Sequence, residues 1–307
     1  MKEYSFIVTK EDETASIRRL LKKRLGFSSR LLASMHADGM VFINDKLLTG
    51  KSKPKPGDLI RAVMPNETSY FEPESIPFSV VYEDDAFMAV NKPAGYIVHP
   101  TKGKAEHTMA NAISYYIADK GQRYKIRFVN RLDMDTSGLL IVAKDSFVQY
   151  DFSCQMKSDN LIKEYFAITH GIIKEDKICI DLPIGKPDIE DPRRSIVNDG
   201  SGKPSKTFVS VIARSSQGYS LLYIRIATGR THQIRVHLSH IGHPIVGDSL
   251  YGTQKTDIIE RHALHAYKLK LIHPVLRLPM SLAAPLPEDM RLAISKAGFD
   301  INEVKFL

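Results

Sequence analysis

The chain has 307 residues, 43% hydrophobic and 25% charged, which suits a folded globular protein with room for a small extra domain. No apolar run approaches the roughly 18 residues that span a bilayer, and the start, MKEYSFIVTKEDE, lacks the apolar core of a signal peptide. The net charge of +8 points to an acidic partner, and residues 14–65 account for all of it, with eleven Lys and Arg against three Asp.

In chain order, Thr14 is a candidate cap for a helix whose Ile17, Leu20, Leu21 and Leu25 fall at helical spacing, with Arg18, Arg19, Lys22 and Lys23 between them. Gly26 ends that helix, and Ser28 can cap a second one through Leu31, Leu32 and Met35 that stops at Gly39. A strand over Met40 to Ile43, a turn at Asn44–Asp45, the basic stretch KSKPKPGD and a strand over Leu59 to Val63 complete a compact phosphate-binding unit. Residues 66–77, NETSYFEPESIP, are polar with two prolines and read as a linker. The organisation expected is a small α/β domain over 1–68, a linker over 69–77 and a larger domain over 78–307.

In the larger domain, FSVVYEDD and AFMAVNKP read as paired strands around an acidic turn, and His107 to Lys120 as a helix with one apolar face. The regular strand–helix alternation of a parallel sheet and a glycine-rich phosphate loop are both missing, so the class expected is α+β, a mixed, mainly antiparallel sheet with flanking helices.

Three segments carry the chemistry. In FVNRLDMDTSGLLIVAKD, residues 128–145, a polar loop through Arg131, Asp133, Asp135 and Thr136 runs into the apolar strand LLIVA, whose rigidity would fix the loop. In IKEYFAITHG, residues 162–171, strand alternation puts Lys163 and Tyr165 on one face, the ring available to a nucleobase and the ammonium to a carboxylate or phosphate. In ATGRTHQIRVHLSHIGHPIVGDSLYG, residues 227–252, Thr231 can cap a helix with Ile234, Leu238 and Ile241 inward, leaving Arg230 and Arg235 at its positive end. Close sequence spacing of His232, His237, His240 and His243 suggests a metal, but no acidic or thiol ligand is clearly paired with them, and no metal or other cofactor is expected. The two cysteines, Cys154 and Cys179, lack metal-ligand spacing and are expected as buried free thiols in a reducing cytoplasm.

These segments, in this order and spacing, resemble the ribosomal-RNA pseudouridine synthases typified by RluA and RluD; VVYEDDAFMAVNKPAGYIVHP and LHAYKLKLIHP match as well, so the likeness spans nearly all of residues 78–290. The amino-terminal stretch, including DGMVFINDKLL, resembles the S4 RNA-binding domain. The resemblance implies isomerisation of uridine in RNA, with Asp133 as the catalytic aspartate, Tyr165 as the ring stacked on the target base and Arg235 as the partner of the carboxylate. It also makes Arg131, Lys163, Arg230, His232 and Gln233 candidate substrate contacts in the pocket, and Arg18, Arg19, Lys22 and Lys23 candidate RNA contacts on the first helix. One departure stands out: Asn130 replaces the histidine usual three positions before the aspartate, which excludes a charged group there. Leu139 and Ile141 are candidates for the apolar wall that keeps water from a detached base. Asp135 is expected to be structural.

The partner implied is large-subunit ribosomal RNA, with tRNA as a second substrate class; the enzyme is expected to be a monomer without membrane contact. Two competing functions make different demands: an RNA-binding assembly factor would lack one of the three central groups, all present here, and a base hydrolase would leave an abasic site.

Overall fold

The computed structural model describes residues 2–12, 15–37, 39–48, 53–101, 105–186, 188, 190–252 and 256–300. The amino-terminal module is an antiparallel sheet in the order β1–β4–β2–β3, from β1 (Glu3–Ile7), β2 (Val41–Ile43), β3 (Lys46–Leu47) and β4 (Leu59–Val63). Two helices, α1 (Ile17–Leu25) and α2 (Ser29–Ala37), connect β1 to β2. Leu20, Leu21 and Leu25 of α1 and Leu31, Leu32 and Met35 of α2 are buried, as their spacing predicts. Ser16 caps α1 through the backbone N–H of Arg19, and Thr14 lies outside the described residues, as does part of the basic stretch, 51–52. Asn44 and Asp45 both take positive φ, 46° and 64°, in the two-residue turn between β2 and β3.

Residues 66–77 hold no regular structure, yet they are laid down on the larger unit: Ser69 accepts from the N–H of Ile126, the Phe71 carbonyl from Ser114, and Glu67 pairs with Arg127.

The larger unit centres on a sheet of ten strands among the described residues. Its main path runs β10 (Lys177–Asp181), β13 (Lys206–Ser215), β14 (Tyr219–Ile226), β9 (Ile162–His170), β15 (Leu264–Ile272), β8 (Ser137–Ala143), β6 (Phe87–Lys92), β5 (Ser79–Glu83). β16 (Pro279–Ala283) pairs with β15 and β7 (Arg127–Phe128) with β8, while β11 (Ile184–Gly185) and β12 (Ser195–Ile196) form a separate ribbon. The pairings are antiparallel except β8 with β15, the mixed arrangement anticipated. At that parallel seam Gly138 has φ +112°, and a Cβ there would lie 2.2 Å from the Ala266 carbonyl oxygen, so only glycine lets the strands close. Helices α3 (Met109–Asp119), α4 (Ser146–Lys157), α5 (Gln233–His240) and α6 (Glu288–Lys296) flank the sheet. The capping box of Thr108 and Asn111 starts α3.

β8 is buried along its whole length and its two faces serve different cores. Leu140 and Val142 join the cluster of α3, β9, β14 and α6; Leu139 and Ile141 join the one that continues into the amino-terminal module. Tyr4 and Phe27 of that module pack edge-on against Phe147 of α4, with centroids 4.6 and 5.4 Å away. Both cysteines are exposed free thiols, against the expectation of burial: Cys154 lies on the outer side of α4 and Cys179 on β10, next to buried neighbours only at 180.

Candidate active site

The loop ahead of β8 brings Asp133 to the meeting point of two hollows. A large cleft of about 1300 Å³ and a small pocket of about 240 Å³ share Arg131, Leu132, Asp133, Thr231, His232 and Arg235 as walls. Arg235, on the first turn of α5, donates from Nη1 to Asp133 Oδ2 at 3.1 Å, closing a pair 102 residues apart in sequence. Among the described residues nothing hydrogen-bonds Asp133 Oδ1, and the side chain keeps about a quarter of its surface exposed, so one oxygen is held and the other is open. Tyr165 lies in the small pocket, 6% exposed. Burial, then the negative charge of Asp133, pushes its hydroxyl well above the ordinary tyrosine value, so it stays neutral.

Arg235 is itself gripped from behind. Its Nε and Nη2 donate to the two oxygens of Asp248 at 2.7 and 2.8 Å, a bidentate pair with Asp248 fully buried. Asp248 also accepts from the backbone N–H groups of Leu250 and Tyr251. Burial opposes both charges, yet each partner outweighs it: the arginine is held above its ordinary value and the aspartate below. Gly247 makes this placement possible, because a Cβ there would meet the Arg261 carbonyl oxygen at 2.2 Å. The sequence reading missed Asp248; the available signal was an acidic residue after glycine inside an otherwise apolar stretch, HPIVGD.

Asn130 has a structural task. Its Nδ2 donates to the Leu139 carbonyl at 3.0 Å and its Oδ1 accepts from the Ile141 N–H at 2.9 Å, extending the β7–β8 ladder by one side chain. A neutral amide supplies both the donor and the acceptor this position uses. Three further groups fix the loop. Lys92, fully buried, donates to the carbonyls of Pro93, Tyr96 and Met134 at 2.7–2.8 Å. Burial pushes its amine down to about 7, while three donated bonds call for the three protons of the ammonium and work the other way. Arg261 donates to the Asp135 carbonyl at 2.8 Å and to Ser137 Oγ at 3.2 Å. Thr136 Oγ1 meets His262 Nε2 at 2.7 Å, and burial, then nearby Arg235, pushes that imidazole down to about 3, so it is neutral. Asp135 itself serves the loop through its backbone.

Several expectations are corrected. Thr231 does not cap α5: His232 holds the cap position at φ 58°, without a side-chain cap bond, its Nδ1 2.8 Å from the Tyr251 hydroxyl and its Nε2 4.0 Å from Asp133. Such a left-handed residue costs about 1–3 kcal/mol and persists because its surroundings fix it. Gln233 is not a free substrate contact. Its Oε1 accepts from Thr228 and the Arg230 N–H, and its Nε2 donates to the Lys206 carbonyl and Thr207, so all its polar capacity is used within the protein. Leu139 and Ile141 do not wall the pocket, since they face the other core; Leu132, Ile226, Ile234 and Leu264 do. His237 binds Thr207 and the Leu182 carbonyl, and His243 binds the His170 carbonyl, so these histidines face different partners.

The other candidates fall into two groups. Arg131, Lys163 and Arg230 line the small pocket. Lys163 is 7% exposed, burial lowers its amine against the opposing charge of Asp159, and among the described residues no carboxylate lies within ion-pair distance of it. Arg18, Arg19, Lys22 and Lys23 are exposed on α1 and line neither hollow, and Lys23 leans on Asp12 at 3.4 Å.

A family model described as RNA pseudouridylate synthase matches residues 86–240. The chain is 36% identical over 261 residues to ribosomal large subunit pseudouridine synthase D of Nitrosomonas europaea, covering 81% of this chain and 74% of that protein. It is 34% identical to the protein of the same name from Pasteurella multocida, covering 90% of each. Among solved structures, human RNA pseudouridylate synthase domain containing 1 aligns with a TM-score of 0.57 at 29% identity, over 72% of this chain and 86% of that one. The chain belongs to the RNA pseudouridylate synthase family, in its RluA/RluD branch: it is an isomerase that acts on uridine in RNA. No helix among the described residues is long and apolar enough to cross a membrane.

Proposed function

We propose that this enzyme isomerises uridines of large-subunit ribosomal RNA and that Asp133 carries the reaction. The observation that supports this most is the Arg235–Asp133 pair at the mouth of a pocket containing Tyr165, with the second carboxylate oxygen unpartnered among the described residues. The names of the Nitrosomonas and Pasteurella relatives support the choice of ribosomal RNA over tRNA. The reading includes a cytoplasmic monomer with an S4-like RNA-binding domain over 1–68, a linker over 69–77 and the catalytic domain from 78 on.

The reaction breaks the bond from C1′ to N1, turns the uracil and joins C1′ to C5; the C5 hydrogen leaves as a proton to water and N1 takes up a proton in its place, so the product is an isomer of uridine. The target uridine leaves its stack at a cost of a few kcal/mol, and stacking on Tyr165 offsets about 1–3 kcal/mol. Asp133 then acts on the ribose, by addition to C1′ or by accepting a ribose proton. Arg235 aims the carboxylate by holding its Oδ2 and leaving Oδ1 towards the pocket. Tyr165 works as a neutral ring: with its hydroxyl pushed up, phenolate is scarce at neutral pH and it is a poor base for the C5 proton. Lys163 and Arg230 supply positive charge to the same pocket for a phosphate or a uracil oxygen. Leu132, Ile226, Ile234 and Leu264 keep the detached base from water.

The test uses large-subunit ribosomal RNA tritiated at uridine C5. Tritium release with pseudouridine recovered from the RNA chain is the expected result. Free uracil with abasic sites would replace this reading by hydrolysis, and release from tRNA alone would move the target.

A further inference from the structure

We propose that the large cleft between α2 and α4 is the track for the single-stranded RNA flanking the target uridine, with Arg30 holding a backbone phosphate and Tyr150 stacking on a neighbouring base. The proposal rests on the reading that the uridine enters at Asp133.

The cleft is too large for the uridine alone. At about 1300 Å³ it exceeds the roughly 300–1000 Å³ of small-molecule pockets, and it opens directly onto the Asp133 loop. One wall is the start of α2, with Ser28, Arg30 and Ser34; another is α4, with Gln149, Tyr150 and Ser153. Of the cations there, Lys125 and Arg127 are both tied to Glu67. Among the described residues neither Arg30 nor Arg131 has an ion-pair partner, and both are exposed. The unspent positive charge therefore stands at the α2 wall and beside the catalytic loop. Tyr150 is 40% exposed and lines the cleft from the α4 wall.

The two walls are set before RNA arrives. Phe27, just ahead of α2, and Phe147, in the first turn of α4, pack against each other and against Tyr4. The Tyr4 hydroxyl and the Lys2 amine both reach Asp145, the cap of α4, at 2.8 and 2.7 Å. Arg30 and Tyr150 each follow one of these anchored rings by three residues, so one aromatic cluster sets the spacing between the phosphate contact and the stacking ring. Preorganisation of this kind lowers the ordering cost of binding. The occupant is single-stranded because RNA reaching Asp133 is already locally unstacked. Exposed ring plus free cation is also the pairing that holds single strands, whereas duplex RNA is read by shape and backbone.

The experiment compares wild type, Arg30→Glu, Tyr150→Ala and the double variant on a synthetic hairpin bearing the target uridine, and on versions trimmed on each flank in turn. Both residues are exposed, and unchanged thermal unfolding verifies folding. Each single change is expected to lower kcat/KM about tenfold through KM on the full hairpin, Tyr150→Ala by losing one stacked base and Arg30→Glu by losing one phosphate contact. Trimming the flank that fills the cleft should abolish that difference from wild type. A 4-thiouridine beside the target should cross-link to the peptide holding Tyr150. Equal losses on trimmed and untrimmed RNA, or KM unchanged in the double variant, would overturn the track. Full activity of an Asp133→Asn enzyme would instead break the reading of the site, with the trimming result still deciding the cleft.

Discussion

The pocket around Arg235 and the face of α1 use the same kind of side chain in opposite ways. At Arg235 one guanidinium is buried and shared between two carboxylates, Asp133 and Asp248, each contact fixed to a hydrogen-bond length. On α1 the cations Arg18, Arg19, Lys22 and Lys23 are exposed, and among the described residues only Lys23 has an acidic neighbour. A buried charge in a closed network has one permitted arrangement, so removing a partner is costly. Exposed charges are screened and interchangeable, and they act by their sum.

The contrast is tested most severely by Arg235→Leu, which strands Asp248 in the interior. A destabilisation of about 3–5 kcal/mol is expected in denaturant unfolding, together with loss of isomerisation; a variant of wild-type stability would show that Asp248 has another counter-charge. Next comes Tyr165, where Tyr165→Ala should cost about 1–3 kcal/mol in kcat/KM and Tyr165→Phe should retain most activity, since a ring is what the pocket uses. An inactive Tyr165→Phe would give the hydroxyl a part in the mechanism. Reversing Arg18, Arg19, Lys22 and Lys23 together should weaken RNA binding without altering stability. The slope of log affinity against log salt should flatten by about 0.7–0.9 for each phosphate that α1 no longer neutralises; an unchanged slope would remove α1 from the RNA interface.

The smallest effect lies at Glu83. Burial alone would raise its carboxyl, but hydrogen bonds from Lys144, Tyr116 and Lys120 outweigh it and hold the group at about 2. The folded value lies below the unfolded one, so this stabilisation is complete above the ordinary glutamate value of 4.5 and is lost as pH falls towards 2. Glu83→Gln should flatten the acid limb of the stability curve in that window, and an unchanged limb would assign it to other carboxylates.

Much of this was legible in the chain. Local spacing located α1, α2, α3, β8 and β9, because one apolar face or a continuous apolar run decides each of them. The meeting of Asp133, Tyr165 and Arg235 came from the family resemblance, since no local rule pairs Asp133 with an arginine 102 positions away. What stayed hidden depended on tertiary surroundings. β8 is apolar on both faces, so alternation could not tell that Leu139 and Ile141 look away from the pocket. The left-handed turn at His232 depends on Tyr251, and Gln233 reads as a donor to RNA until its four partners are seen. Asp248 is an ordinary turn aspartate in sequence; burial beside Arg235 gives it its part. Arg30 stood apart from the charged run on α1, and its place at the cleft follows from how the module docks through Phe27 and Phe147.

The most direct measurement compares C5-tritium release from ribosomal RNA by wild type, Asp133→Asn and Asp135→Asn under single-turnover conditions. Asp133→Asn keeps the shape of the side chain while removing its charge. The expected result is a fall of at least about 10²–10⁴-fold for Asp133→Asn, the range for removal of an acid–base or nucleophilic group, with near-normal release by Asp135→Asn. Full release by Asp133→Asn, or a fall confined to Asp135→Asn, would contradict the assignment of the reaction to the carboxylate held by Arg235.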